Sequence, residues 1–98
     1  MNAAIIISVA DNVATALEPL DAGRRLRIGD VQITAAEAIP RGHKIALRAI
    51  RAGEPVVKYG SSIGSASADI APGAHVHTHN VASARGRGDL AGQTSREE

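Results

Sequence analysis

One short repeat limits the folds open to this chain more than any other feature: an aliphatic residue, two variable residues and a glycine. It occurs as LDAG (20–23), IPRG (39–42), IRAG (50–53) and IAPG (70–73). Glycine can adopt the positive φ of a tight turn without steric cost, and the prolines in two of the units preset φ for a turn. Each unit is therefore predicted to form a sharp corner whose aliphatic residue is anchored in the core.

The segments between the corners have the character of short β-strands. HKIALRAI, EPVVKYG and IGSASADI are strand candidates, and RRLRIGDVQITAA has Gly-Asp at its centre, as a hairpin does. The chain has no Phe or Trp and one Tyr, so the core must consist of Ile, Val, Leu and Ala. Such side chains suit closely spaced strands. The sequence predicts a mainly β domain of short strands and glycine corners.

The two ends of the chain carry separate predictions. The run AIIISV (4–9) is typical of a strand buried on both faces or at an interface. In DNVATALEPL, Asp11 can cap a helix whose apolar residues follow at helical spacing, and Pro19 would end it, so one short helix is expected. After Asn80 the chain loses periodicity, which predicts a domain over residues 1–82 and a flexible tail over 83–98.

Composition excludes several classes of function. A net charge of +1 gives no electrostatic reason to expect nucleic acid or an anionic membrane as a partner. The absence of cysteine removes disulfides, thiolate nucleophiles and Cys-based zinc sites, and is compatible with a reducing compartment. The first apolar run is too short to span a bilayer and lacks a preceding basic region. A cytoplasmic protein is expected.

The segment GAHVHTHN contains the most distinctive polar pattern of the chain. It places His75, His77 and His79 at alternate positions, so all three rings would share one face of a strand. Adjacent pairs can converge on one ligand, whereas the outer two lie about 13 Å apart on a straight strand. Imidazole binds zinc, iron and manganese. From spacing alone, a metal site, a substrate clamp and a half-exposed polar strand remain open.

Two further clusters could bind an acid. His43 and Lys44 follow the IPRG corner, and Lys58 and Tyr59 precede Gly60 and a serine-rich loop. A Lys ammonium and a Tyr hydroxyl can both hold a carboxylate, and glycine permits close backbone approach. The alternative is a solvated lysine, with a tyrosine at the edge of an otherwise non-aromatic core.

These motifs together resemble a known family. The chain is similar, over roughly residues 5–82, to the small N-terminal SAF domain of the altronate and galactarate dehydratase family. The segments that carry the resemblance are DNVATAL, GHKIAL, VVKYG, IGSASADIAPG and HVHTHN, in that order. The resemblance implies a β-clip fold, a long folded sheet with sharp corners.

The resemblance also implies an activity. In that family the small domain accompanies a larger catalytic region, which is fused to it in the sugar-acid dehydratases and is a separate subunit in others, including the sulfolactate sulfo-lyases. The reactions are metal-dependent β-eliminations from 2-hydroxy acids, usually with iron or manganese. The chain is thus expected to be the small subunit of a two-component lyase that is inactive without the large subunit, and to form homo-oligomers through exposed edges when isolated. The alternative is a non-catalytic SAF module that binds a sugar acid or a protein partner.

The resemblance carries over individual motif positions without separating metal-binding from substrate-binding residues, and we assign their expected roles as follows. His77 and His79 are expected to be catalytic and, as the same pair, to bind the metal. The expected substrate-binding residues are His43, Lys44, Lys58, Tyr59, Gly60 and Asn80. His75 is the most replaceable of the alternating histidines in this family. We therefore expect His77 and His79 to face a common cleft with Asn80 near its rim, and His75 to lie further from its centre.

Overall fold

The computed structural model describes residues 3–6 and 8–83, and over these ranges it consists of short strands, turns and bridges, so the predicted mainly β class is confirmed. Three antiparallel sheets have the orders β1-β2-β5-β8, β3-β4 and β6-β7-β9. The strands are β1 (Ala4–Ile5), β2 (Val13–Ala16), β3 (Arg25–Ile28), β4 (Val31–Thr34), β5 (Lys44–Ala46), β6 (Pro55–Lys58), β7 (Ser61–Ala66), β8 (His75–Val76) and β9 (Val81–Ser83).

The four-stranded sheet separates two aliphatic clusters. Because side chains alternate along a strand, Ala14 and Ile45 face one cluster while Val13 and Ala46 face the other. The first cluster is Ala4, Ala14, Ala16, Leu20, Ile28, Ile33, Ala35, Ile39, Ile45 and Leu47. The second is Val13, Ala46, Ile50, Val56, Ala66, Ile70 and Val76. The predicted aromatic-free core is thus built on both faces of one thin sheet.

The glycine corners are confirmed. Their aliphatic residues are buried and pair across the fold as isolated bridges, Leu20 with Ile39 and Ile50 with Ile70. All four corner glycines have positive φ, between 83° and 89°. Each is followed by a residue whose N–H donates to the carbonyl three positions earlier, which closes a tight turn.

The corners share a second feature that the tetrapeptide repeat does not reveal. Each corner glycine donates its N–H to the carbonyl of an alanine, and that alanine lies four residues before the aliphatic residue of the partner corner. The donor and acceptor pairs are Gly23 to Ala35, Gly42 to Ala16, Gly53 to Ala66 and Gly73 to Ala46. The structural repeat is therefore eight residues long, Ala-x-x-x-aliphatic-x-x-Gly, and its copies pair two by two.

The predicted helix after Asp11 is wrong, because residues Val13–Ala16 form strand β2. Asp11 does not cap a helix: its carboxylate accepts hydrogen bonds from the N–H groups of Gly60, at 2.7 Å, and Ser8, at 3.3 Å. The neighbouring Asn12 accepts from the N–H of Val57 and donates to a carbonyl of the same strand. These buried polar side chains fasten the start of β2 to β6, which holds the segment extended.

The predicted hairpin is confirmed as β3 and β4, with Gly29 and Asp30 at its turn. The first apolar run is less regular than expected: its strand covers only Ala4–Ile5, and Val9 is fully exposed in a turn. The predicted tail lies outside the described residues except for Ser83, which ends β9. Among the described residues, none belongs to a helix long and apolar enough to cross a membrane.

Candidate functional site

Histidines from two distant segments meet at one end of the four-stranded sheet. Strands β5 and β8 are antiparallel, with Lys44 opposite Val76 and Ile45 opposite His75. Continuing this register beyond the strand ends places His43, which follows the Gly42 corner, opposite His77. The sheet register thus joins the GHKIAL motif to the HVHTHN motif.

The three rings of His43, His75 and His77 form a stack, which we call the histidine cluster. The ring centroids of His43 and His77 are 3.8 Å apart, and those of His43 and His75 are 5.0 Å apart. Nδ1 of His43 lies 2.8 Å from Nε2 of His75, so one of these nitrogens donates a hydrogen bond to the other. Each ring offers one nitrogen within 4.8 Å of those of the other two.

The electrostatics favour the neutral form of His75 and of His77. Removal from water lowers the pKa of His75, and the neighbouring imidazoles lower it further, while the carboxylate of Glu37 acts in the opposite direction. The pKa of His77 is also lowered, first by desolvation and then by His43, Lys44 and His79. Neutral imidazole is the form that accepts a proton or binds a metal.

His77 has an unsatisfied nitrogen. Its Nδ1 is buried and has no hydrogen-bond partner among the described residues. A buried polar atom without a partner costs free energy unless a ligand, a metal or a water satisfies it. This atom marks His77 as a position where a further group is expected to bind.

His79 borders the histidine cluster without belonging to its stack or to its group of converging nitrogens, which differs from the pairing with His77 expected from strand alternation. Strand β8 ends at Val76, and the N–H of Asn80 donates to the carbonyl of His77 at 3.1 Å, so residues 77–80 form a turn. His79 is exposed. Its ring centroid lies 5.1 Å from that of His75, and the two ring planes are inclined by 41°. His75 lies within the stack, because strand alternation stops one residue after it. The expectation that His75 lies further from the functional centre than His77 and His79 remains a prediction. The catalytic and metal-binding roles of His77 and His79 remain predictions.

Asn80 holds this turn in place. Its Oδ1 accepts a hydrogen bond from the N–H of His77 at 2.9 Å, and its Nδ2 donates to the carbonyl of His75 at 2.8 Å. Both bonds are to the backbone of the histidine cluster. Asn80 is therefore placed as a positioning residue, while its predicted contact with substrate remains a prediction.

Lys44 borders the histidine cluster, and Lys58 lies near Lys44. Lys44 lines a cavity of about 170 Å³ together with Ile63, His77, Thr78 and Val81. Burial lowers the pKa of Lys44, and the positive charge of Lys58 lowers it further. Two ammonium groups that repel each other beside a neutral imidazole form a favourable site for an anion, because a carboxylate would relieve the repulsion.

Lys58 ends β6, and Tyr59 and Gly60 form the turn to β7. Nζ of Lys58 lies 4.8 Å from the centroid of the Tyr59 ring, a cation–π contact that fixes the direction of both side chains. Tyr59 has a φ of 55°, and about half of its surface is exposed (49%). Gly60 donates its N–H to the carboxylate of Asp11, which the sequence predicted to cap a helix. The predicted substrate contacts of Tyr59 and Gly60 remain predictions.

Comparison with known proteins agrees with the motifs at this site. The family model of the altronate/galactarate dehydratase SAF domain matches residues 2–84. The altronate dehydratase of Bacillus subtilis (strain 168) is 46% identical over 81 residues, which are 83% of this chain and 16% of that protein. The altronate dehydratase of Escherichia coli (strain K12) is 47% identical over 77 residues, or 79% of this chain and 16% of that protein.

A shorter relative matches over most of its own length. The (2R)-sulfolactate sulfo-lyase subunit alpha of Paracoccus pantotrophus is 48% identical over 56 residues, which are 57% of this chain and 84% of that subunit. The matched segment therefore spans about a sixth of the two altronate dehydratases (16%) but most of the sulfo-lyase subunit.

Proposed function

This chain belongs to the altronate/galactarate dehydratase SAF domain family, and from that membership we propose that it is the small component of a lyase acting on a 2-hydroxy acid. The reaction would be a β-elimination, either dehydration of a sugar acid such as altronate or galactarate or release of sulfite from sulfolactate. The observation that carries the proposal is the cavity that Lys44 shares with His77 of the histidine cluster, with the charge of Lys58 acting on Lys44.

The chemistry of the reaction explains this combination of side chains. Removal of the C2 proton places negative charge on the neighbouring carboxylate, and ammonium groups stabilise that charge as it develops. Lys44 and Lys58 would hold the carboxylate. A base on the large subunit would remove the C2 proton and return it to the departing hydroxide, which leaves as water. His77, which lines the same cavity as Lys44, would act there as a metal ligand.

The active site is proposed to be shared with a larger catalytic region. Ligand pockets usually enclose about 300–1,000 Å³, whereas the cavity beside Lys44 measures about 170 Å³. This chain would supply one wall, and the large subunit would supply the rest, including the determinants of which hydroxy acid is accepted. We place the complex in the cytoplasm, in keeping with a chain that contains no cysteine.

A divalent metal, iron or manganese, is part of the proposal. When bound, such an ion would polarise the substrate carboxylate and stabilise the charge that develops on it. The residues fit this group, because the histidine cluster brings three imidazole nitrogens together and leaves the buried Nδ1 of His77 without a partner among the described residues.

A replacement in a known enzyme tests the proposal. In the Bacillus subtilis altronate dehydratase, the 81-residue matched segment is deleted or is exchanged for residues 2–84 of this chain. Deletion should abolish altronate turnover, and the chimera should restore it to within about tenfold of the intact enzyme, or about 1.4 kcal/mol in activation free energy. A folded chimera that is no more active than the deletion would contradict the proposal. Full activity of the deletion would instead support a non-catalytic module.

A further inference from the structure

We infer that His43, His75 and His77 form a metal site that this chain holds by itself, and that His79 is not one of its ligands. The site would take a divalent first-row ion of the borderline class, such as Fe²⁺, Co²⁺ or Zn²⁺, in preference to Mn²⁺. The inference deepens the proposed function by assigning the metal to particular residues of this chain.

The separations of the ligand atoms are close to those of a bound ion. A metal–imidazole bond is about 2.0–2.1 Å long, so nitrogens at tetrahedral angles on one ion lie about 3.4 Å apart. The available nitrogens of the histidine cluster all lie within 4.8 Å of one another. Side-chain rotations that bring these nitrogens closer by up to about 1.4 Å would therefore give the required spacing.

The rings must turn for their lone pairs to meet. They lie nearly parallel, with interplanar angles of 11° to 21°, and parallel rings cannot all point at one ion. All three side chains are half-buried at the end of the sheet, and none of them belongs to either aliphatic cluster. Binding is thus expected to open the stack while the turn at residues 77–80 stays in place.

The surroundings leave the nitrogens available. His43 and His75 share one proton in the hydrogen bond between their ring nitrogens, and a bound ion would displace that proton. The buried Nδ1 of His77 has no hydrogen-bond partner among the described residues. Glu37 places a negative charge nearby, because its carboxylate accepts a hydrogen bond from the N–H of His75 at 3.1 Å. This charge offsets part of the repulsion between Lys44 and a bound cation.

The ligand chemistry selects the class of metal. Three neutral imidazoles suit iron, cobalt and zinc, whereas manganese prefers oxygen ligands. Because the rings are half-exposed, three protein ligands would leave further coordination positions open, which is the pattern of catalytic rather than structural sites. The open positions would face the groups that approach from outside this chain.

Titration of the metal-free full-length chain with Co²⁺, followed by visible absorption, tests the inference. We expect one ion per chain, with His43→Ala, His75→Ala and His77→Ala each weakening binding at least about tenfold, since loss of even an outer-sphere partner costs that much. The matched control, His79→Ala, should change the dissociation constant less than about threefold. Mn²⁺ should compete poorly with Co²⁺.

A second measurement does not depend on any variant folding. Zn²⁺ added to the wild-type chain should shift the imidazole NMR resonances of His43, His75 and His77 more than those of His79. The inference is overturned if His79→Ala weakens Co²⁺ binding as much as the other variants, or if Zn²⁺ moves the His79 resonances most. The metal-binding measurements contain no substrate and no large subunit, so a negative result in them does not change the expected activity of the chimera. An inactive chimera likewise does not change the expected metal binding of this chain.

Discussion

At the scale of single residues, the candidate site depends on side chains that hold other side chains in place. Asn80 bonds to the backbone at both His75 and His77, and Asp11 holds the turn that contains Tyr59 and Gly60. Neither residue needs to touch a substrate to affect the reaction. Their substitution should therefore alter the arrangement of the site as well as the stability of the fold.

Asn80→Ala should destabilise the chain by about 1–3 kcal/mol, because it leaves a backbone N–H and a carbonyl without their partners. It should also weaken Co²⁺ binding, since His77 is no longer fixed relative to His75. Urea unfolding and the Co²⁺ titration measure the two effects. Asn80→Asp retains the acceptor for His77 and loses only the donor to His75, so its effect should lie between those of Asn80→Ala and the wild type. Equal stability of all three proteins would contradict this role.

At the scale of elements, the four corners were predictable because the signal is local. A glycine three residues after an aliphatic residue indicates both a tight turn and the buried side chain that precedes it. All four corner glycines have positive φ, as such turns require. The strand β2 was not predictable in this way, because VATA alternates as a strand does while its surroundings also fit a helix. The strand conformation is stabilised by Asn12, whose side-chain amide forms hydrogen bonds with the backbone of Pro55 and Val57. These residues lie 43 and 45 positions further along the chain, so the effect is not local.

The histidine cluster was only partly predictable for a similar reason. The sequence indicated that His75, His77 and His79 act together, but it could not show that His43, 32 residues before His75, completes the stack. That contact depends on the register of β5 with β8. It could not show the turn at residues 77–80 either, because the turn depends on the side chain of Asn80.

The corner glycines differ in what an added methyl group would meet. At Gly73 a Cβ would lie 2.0 Å from the carbonyl oxygen of Thr34, whereas at Gly53 it would meet nothing within 4 Å. Both have left-handed φ, so both substitutions carry the same backbone cost. Gly73→Ala should therefore be less stable than Gly53→Ala by about 1–3 kcal/mol, the usual range for overpacking. Urea unfolding measures the difference, and equal midpoints would show that the two corners do not pack as described.

At the scale of the whole molecule, the fold presents a site that it does not enclose. The core fills both faces of a thin sheet, which leaves the histidine cluster and the lysines at the surface. Beside Lys44 the cavity has room for part of a small acid, about 170 Å³. Water therefore reaches the site in the isolated chain, and under the proposed function the large subunit would exclude it.

The isolated chain should consequently show no lyase activity. Assays for dehydration of altronate and galactarate, and for sulfite release from sulfolactate, should give rates no higher than those of a metal-containing buffer. The same preparation should still bind Co²⁺, which shows that it is folded. Turnover by the isolated chain would contradict a site shared with a larger region.

The most direct test of the central claim is the altronate turnover of the chimera with single substitutions in this chain. Lys44→Met and His77→Ala should each lower kcat/KM at least about tenfold, equivalent to about 1.4 kcal/mol of transition-state stabilisation. Gln32→Ala, on the exposed face of the hairpin, should leave it unchanged. If the chimera keeps its full kcat/KM with Lys44→Met and His77→Ala, these side chains take no part in the elimination and the account is contradicted.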